Sequence, residues 1–218
     1  SKKEQASRVK DKAEVFTPSW ICNAQNNLID DAWFGKGNVF NTETDKGWIV
    51  NLERITFPEG KSWQDYVKEN RLEITCGEAP YLVSRYDTVT GNIIAIKERI
   101  GLLDRKLRVI SENVDGEQEW VEWAKIAFKS VYGFDWQGDN VLLARENLLR
   151  TFIDYYTDKF GLSPITEYLI DYASEETKKI GFEMIDRELE KIPKEKVREI
   201  ARQNIEAIKS SDRRDFRF

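Results

Sequence analysis

The chain has 218 residues, of which 33% are charged and 40% hydrophobic, and its formal net charge is −5 at pH 7. This composition is typical of a folded protein rather than a disordered chain. The sequence contains no histidine, which excludes Ser-His or Cys-His nucleophilic catalysis and His-ligated zinc within this chain. Cys22 and Cys76 are in no metal-ligand spacing, so we expect buried, reduced thiols and no metal site.

The same sequence sets expectations about partners. No apolar run approaches the roughly 20 residues that span a bilayer, and the N-terminus leads into no signal-peptide core. We therefore expect a cytoplasmic protein without a membrane partner. The negative net charge argues against binding nucleic acid through bulk charge, although a local basic face could still bind phosphates.

The first predicted helix follows a charged arm over residues 1–14. Thr17 is expected at the N-cap and Pro18 at the first helical position, where its missing donor has no cost. Apolar residues then recur at helical spacing and predict a core face formed by Ile21, Ala24, Leu28 and Ala32. The amides on the other side form either a solvated face or a surface that hydrogen-bonds a ligand or DNA: Asn23, Gln25, Asn26 and Asn27.

The middle of the chain predicts short elements. Runs at 48–50 and 52–57 indicate one or two strands, and Ser62 is expected to cap a brief helix. A Thr-Gly-Asn turn at 90–92 predicts a hairpin. Residues 100–110 predict a helix whose basic side chains form a solvated surface, and residues 120–128 predict another amphipathic helix.

Residues 71–82 predict a strand, a turn and a helix. In a doubly wound sheet a nucleotide-like ligand sits at the carboxyl end of the first strand, where the turn backbone and the next helix offer N–H groups. Glu73, Thr75, Gly77 and Glu78 would line this turn. Only one glycine is present where the dinucleotide fingerprint has three, so an ordinary turn is the competing interpretation.

A second strand, turn and helix is predicted over residues 130–145. Asp135 stands near the end of the short strand, where an acid can accept hydrogen bonds from both ribose hydroxyls of a nucleoside. Trp136 would offer a flat face to an adenine ring, and the competing interpretation of Asp135 is a turn acid. Asp139 is expected to cap a helix whose predicted core face is Leu142, Leu149, Phe152 and Tyr156.

Three segments, in order, resemble the cofactor-binding part of DNA adenine methyltransferases of restriction–modification systems. Residues 14–18 resemble the N-terminal Phe-Thr-Pro element of that family, residues 74–82 its first, glycine-containing motif, and residues 131–149 its acidic second motif with the following helix. The resemblance covers roughly residues 14–156. It implies adenine amino methylation of DNA with S-adenosylmethionine as cofactor.

The resemblance also implies an α/β fold with a Rossmann-like methyltransferase sheet. The domain organisation expected is a charged arm at 1–14, a cofactor-binding domain with an inserted hairpin at 15–160, and a helical extension at 161–218 that folds back or contacts a second subunit. The implied cofactor-binding residues are Phe16, Thr17, Pro18, Glu73, Thr75, Cys76, Gly77, Glu78, Pro80, Asp135 and Trp136.

One part of the family pattern is missing. The catalytic Asn-Pro-Pro-aromatic motif holds the amino group of a flipped adenine and stacks on the base. None of the five prolines of this chain follows an asparagine or aspartate. We therefore assign no catalytic residue. Either a missing segment or a partner supplies the motif, or the chain is a non-catalytic DNA- or protein-binding module of phage defence or counter-defence with a decayed pocket.

Overall fold

A computed structural model describes residues 16–161 and Pro164. The predicted arm at 1–14 and nearly all of the predicted extension at 161–218 lie outside the described residues. The described elements are, in chain order, α1 (Ser19–Phe34), β1 (Asn41–Thr44), β2 (Gly47–Val50), α2 (Trp63–Lys68), β3 (Arg71–Ile74), a 3-10 turn (Ile96–Glu98), α3 (Leu102–Asn113), α4 (Glu117–Lys129), β4 (Val131–Phe134) and α5 (Gly138–Phe160).

The strands of the described region form two small sheets. β1 and β2 are an antiparallel hairpin, whereas β3 and β4 run parallel, with Arg71 opposite Val131 and Ile74 opposite Phe134. The connection between β3 and β4 contains α3 and α4, as a parallel pair requires a long crossover. The described chain is thus a mixed α/β structure, and its parallel pair joins the two strands predicted to precede the candidate ligand turns.

Two aromatic groups anchor the core. Trp33 of α1 contacts Tyr66 of α2 edge-on at 5.2 Å between ring centroids. Trp120 of α4 contacts Phe152 and Tyr156 of α5 at 5.8 and 6.0 Å. Each buried aromatic ring removes a large apolar area from water, so these contacts stabilise the positions of the helices around β3 and β4.

The predicted orientation of α1 is wrong. Most of its polar residues lie inside, whereas Gln25 is exposed, and the buried set is Ser19, Cys22, Asn23, Asn26, Asn27, Asp30 and Phe34. Leu28, which was expected in the core, is 70% exposed. Of the predicted core face, Leu28 and Ala32 are exposed, whereas Ile21 and Ala24 are half-buried.

A buried polar network explains this orientation. Arg105 of α3 donates to Asp30 at 2.6 Å, to Asn27 at 2.7 Å and to Asn23 at 2.9 Å. Asn23 exchanges two hydrogen bonds with Asn41 of β1 at 2.8 and 2.9 Å. A buried charge needs a partner and hydrogen bonds, and the amides of α1 provide both acceptors and donors for it.

The expected solvated basic surface on α3 is also wrong for two of its members. Arg105 and Lys106 are 1% and 0% exposed. The ammonium of Lys106 donates to the Glu69 carbonyl and the Ser130 hydroxyl. Burial lowers the pKa of Lys106 well below its usual range. Those two basic side chains therefore connect α3 to its neighbours and are not available to phosphates.

The helix boundaries agree with the predicted signals at α2 and differ at α5. Ser62 and Asp65 form a reciprocal capping box at the start of α2, as Ser62 was predicted to do. The N-cap of α5 is Gln137 rather than Asp139. The predicted core face of α5 is correct for its second half only, because Leu142 is 65% exposed and Leu149 40% exposed.

Candidate functional site

The candidate site lies where β3 and β4 end. The Gly77 N–H donates to Oδ2 of Asp135 at 2.8 Å, and the Cys76 N–H donates to the Phe134 carbonyl at 2.9 Å. Residues separated by 58 positions are thereby joined at the carboxyl edge of the parallel pair. Among the predicted site residues, Cys76, Gly77 and Asp135 lie together at this edge.

The carboxylate of Asp135 accepts hydrogen bonds from the turn after β3 and from the start of α5. Its Oδ1 accepts from the Gln137 N–H at 2.8 Å and from the Asn140 side chain at 3.2 Å, both at the start of α5. A carboxylate has about four acceptor positions. With the bond from Gly77, three are occupied within the protein, so Asp135 can offer a ligand about one more.

The turn after β3 has an unusual backbone. Positive φ angles occur at Thr75 (56°), Gly77 (55°) and Ala79 (64°). Glycine adopts this conformation without cost, but threonine and alanine rarely do, and such residues are held by their surroundings. Here the Ala79 N–H donates to the Cys76 carbonyl at 2.7 Å. The strained turn is therefore fixed by its own backbone bond and by Asp135.

The helix predicted to follow this turn is not formed. Residues 75–83 adopt consecutive turns, in which the Leu82 and Val83 N–H groups donate to the Ala79 carbonyl at 3.1 and 2.9 Å. This segment therefore presents no helix N-terminus to a ligand. The corresponding N–H groups of Tyr81 and Leu82 instead point at Glu73, at 3.4 and 3.3 Å.

Glu73 lies beneath the turn and is 8% exposed. Burial raises its pKa to about 8, the two backbone N–H groups oppose this increase, and the nearby charge of Asp135 adds to it. A large fraction of Glu73 is therefore protonated at neutral pH. Its side chain supports the loop backbone from inside.

Glu78 is held by two residues that the sequence did not indicate. The Tyr86 hydroxyl donates to its carboxylate at 2.6 Å, and Asn147 of α5 donates to its carbonyl at 3.0 Å. Asn147 also donates to the Tyr86 hydroxyl at 3.0 Å. Burial, followed by the bond to Glu78, raises the pKa of Tyr86 to about 12.

A seven-residue spacing on α5 could have revealed Asn147. Asn140, Asn147 and Asp154 recur at this interval, which places them on one side of the helix. The first contacts Asp135, the second contacts Glu78, and Asp154 accepts from Arg85 at 2.8 Å. This polar stripe fastens α5 to the loops that surround the candidate site.

The Phe16-Thr17-Pro18 segment reaches the site from the other side. The Thr17 carbonyl accepts from the Thr88 hydroxyl at 2.8 Å, and the Ser19 N–H donates to Asp87 at 2.7 Å. The N-cap of α1 is Pro18, one residue later than predicted, and the carboxylate of Asp87 satisfies the first helical N–H. All three residues of the segment are half-buried.

Tyr81 connects this segment to the turn. Its hydroxyl lies near Thr17 and Cys22, and burial is the main cause that raises the pKa of Tyr81 to about 12. Cys22 and Cys76 are 0% and 1% exposed. Burial likewise raises the pKa of Cys22 to about 12 and that of Cys76 further, so both thiols stay protonated.

The remaining predicted residues border the site. Trp136, directly after Asp135, is 51% exposed, Thr75 is exposed, and Pro80 is half-buried. The Thr75 hydroxyl donates to the Ile74 carbonyl at 2.6 Å. Exposed apolar side chains therefore accompany the polar ones at this edge, since Ile74 is also 65% exposed.

Residues 16–161 lack the features of a metal centre and of a membrane-spanning helix. No cluster of three or more Cys, Asp or Glu side chains in that range could hold a metal ion. None of the helices within the same range is long and apolar enough to cross a membrane. Comparison of the chain with protein-family models, with curated proteins and with solved structures found no match.

Proposed function

We propose that this chain binds S-adenosylmethionine at the carboxyl ends of β3 and β4, as the cofactor-binding part of a DNA adenine methyltransferase. The observation that supports this most is the bond from the Gly77 N–H to Asp135, because it brings the first and second motifs of the resemblance together. A glycine-containing turn beside an acid at the carboxyl ends of parallel strands is the usual arrangement for an adenosyl or nucleotide ligand. In this proposal the β3–β4 pair belongs to a Rossmann-like sheet.

In this proposal each group of site residues contacts a different part of the ligand. Asp135 accepts a ribose hydroxyl through its remaining acceptor position, and the half-exposed ring of Trp136 stacks on adenine. The Phe16–Pro18 segment covers the methionine part, because the resemblance assigns it there and Tyr81 connects it to the turn. Methyl transfer to DNA requires an adenine-holding motif from another segment or subunit.

Calorimetric titration of the full chain with S-adenosylmethionine tests this proposal. We expect binding, and Trp136→Ala should weaken it about tenfold, since stacking of a base on an aromatic ring contributes roughly 1–3 kcal/mol. Leu52→Ala is the matched control, because Leu52 is 77% exposed and lies outside the site. Absence of binding at millimolar ligand, or equal affinity in Trp136→Ala, contradicts the proposal.

One observation favours the second candidate, a non-catalytic module with a decayed pocket. Three donors of the protein already occupy Asp135, which leaves little capacity for two ribose hydroxyls. In that case the loop is a purely structural clamp. The same titration separates the two functions, because the decayed module binds no S-adenosylmethionine while it remains folded.

A further inference from the structure

A cavity separate from the candidate site lies between α3 and the C-terminal part of α5. Its volume is about 460 Å³, which is within the range of pockets that hold small molecules. Three residues of each helix line it at positions i, i+3 and i+4, which are neighbours on a helix surface. They are Arg108, Ser111 and Glu112 of α3 and Tyr155, Asp158 and Lys159 of α5.

This cavity is far from the proposed cofactor site. Asn140 contacts Asp135 at the start of α5, whereas Tyr155 lies towards the other end of the same helix. At 1.5 Å per residue, about 22 Å of helix separates Asn140 from Tyr155. A small molecule in the cavity therefore does not touch the cofactor site.

Two opposite charges line the cavity without being paired. Lys97 belongs to the 3-10 turn and Asp158 to α5, and both side chains are exposed. Within residues 16–161, neither side chain makes a hydrogen bond or an ion pair, and none joins one to the other. The cavity therefore offers one cation and one anion that the described part of the chain does not neutralise.

The other two basic side chains of the cavity are paired but keep spare donors. Arg108 uses Nε for Glu112 at 2.7 Å and Nη2 for a backbone carbonyl at 2.9 Å, so its Nη1 is unused within the described range. Lys159 donates to the Ser111 carbonyl at 2.9 Å and to Asp115 at 3.2 Å, whereas an ammonium has three donors. Each can therefore give one further bond to an anionic group.

The cavity also has an apolar wall. Leu52 and Ile96 line it together with the ring of Tyr155. Leu52 is 77% exposed and lies at the edge, whereas Tyr155 is 5% exposed and lies at the base. A ligand with an apolar part would remove the exposed Leu52 side chain from water, which favours binding.

We propose that this cavity binds a small amphoteric molecule with an apolar part, which is the chemistry of an apolar amino acid. Lys97 and the spare donors of Arg108 and Lys159 bind the carboxylate, and Asp158 binds the ammonium group. A molecule with only a negative charge is repelled by Asp158. A molecule with only a positive charge is repelled by the basic side chains, so the cavity favours a ligand that carries both charges.

Calorimetric titration of the full chain with L-leucine tests the ligand class. We expect saturable binding of leucine. Two analogues that each lack one charge, 4-methylpentanoate and 3-methylbutylamine, should bind about tenfold more weakly or worse, because each loses a charge-assisted hydrogen bond. Absence of leucine binding at millimolar ligand overturns the proposal, and so does equal affinity for either analogue.

Variants of the two unpaired charges test the location. Lys97→Gln and Asp158→Asn should each weaken leucine binding by about tenfold or more. Both side chains are exposed, so thermal melting should show that the variants remain folded. Lys46→Gln is the matched control, since it removes an exposed basic charge outside the cavity. Leucine binding that Lys97→Gln and Asp158→Asn leave unchanged lies elsewhere and overturns the proposal.

Discussion

The guanidinium of Arg105 and the carboxylate of Asp30 lie 2.6 Å apart, and each side chain is 1% exposed. Removal of Arg105 leaves Asp30 with the longer contact to Arg71 at 3.7 Å and the Tyr66 hydroxyl at 3.0 Å, and breaking a buried ion pair costs roughly 3–5 kcal/mol. We expect Arg105→Met to lower the free energy of unfolding by about that amount, measured by urea denaturation. The chain offers a matched control in Arg150→Met, because the pair of Arg150 with Glu146 is exposed and contributes about 0.5 kcal/mol or less.

Gly101 precedes α3 in a position without space for a side chain. A Cβ atom there would lie 2.4 Å from the Leu82 carbonyl oxygen and 2.5 Å from the Asp104 carboxylate. Gly101→Ala should therefore reduce the free energy of unfolding by roughly 1–3 kcal/mol or more through overpacking. Gly138→Ala at the first residue of α5 meets nothing within 4 Å and should leave thermal stability equal or slightly increased.

Glu73 should make stability depend on pH in a defined window. Its pKa is about 8 in the folded chain and about 4.5 without the effect of burial, so the folded state holds a proton that the unfolded state releases. Its contribution is fully present below pH 4.5 and is lost as the pH rises toward 8. The loss per pH unit within this window is on the order of 1 kcal/mol.

Glu73→Gln removes this dependence, because glutamine does not titrate. Urea midpoints at pH 5 and pH 8 should show that the variant gains stability relative to the parent chain as the pH rises. Since all other titrating groups are shared, the difference between the two chains isolates Glu73. A constant difference between pH 5 and pH 8 would show that the Glu73 carboxyl is already ionised in the folded chain at pH 5.

Asp135 should limit the opening of the turn after β3, which contains Gly77. Asp135→Asn replaces one of the two acceptor oxygens by an amide and weakens a charge-assisted bond to the Gly77 N–H or to the start of α5. Hydrogen exchange of the Gly77 amide should accelerate by about tenfold or more. Asp139→Asn, at the exposed acid of the first turn of α5, is the control, and equal exchange in both variants would contradict this role of Asp135.

Local signals in the sequence predicted several elements correctly. Ser62 and Asp65 stand three residues apart and form the capping box, which depends only on neighbouring backbone groups. The crossover from β3 to β4 followed from two short apolar strands that precede turns. In the capping box, the interactions that decide the structure lie within a few residues of one another. The connection from β3 to β4 follows a topology that is common for parallel strands.

Long-range polar pairing explains most of what was predicted wrongly. Arg105 lies more than 70 residues from Asp30 and the amides of α1, so no local pattern could show that these polar side chains belong inside. Periodicity locates the two faces of a helix but does not decide which one is buried. The turn after β3 was predicted, but the helix expected to follow it was not formed, because the Tyr81 and Leu82 N–H groups donate to Glu73 from a distant part of the loop.

The buried thiols of Cys22 and Cys76 can report on local opening of the protein. The Cys22 thiol lies in α1 and the Cys76 thiol in the turn after β3, and both stay protonated while they are buried. A thiol-specific reagent will therefore modify them only during excursions that separate α1 or the turn from the strands beneath. The rate of their modification reads out the opening of this region without an added label.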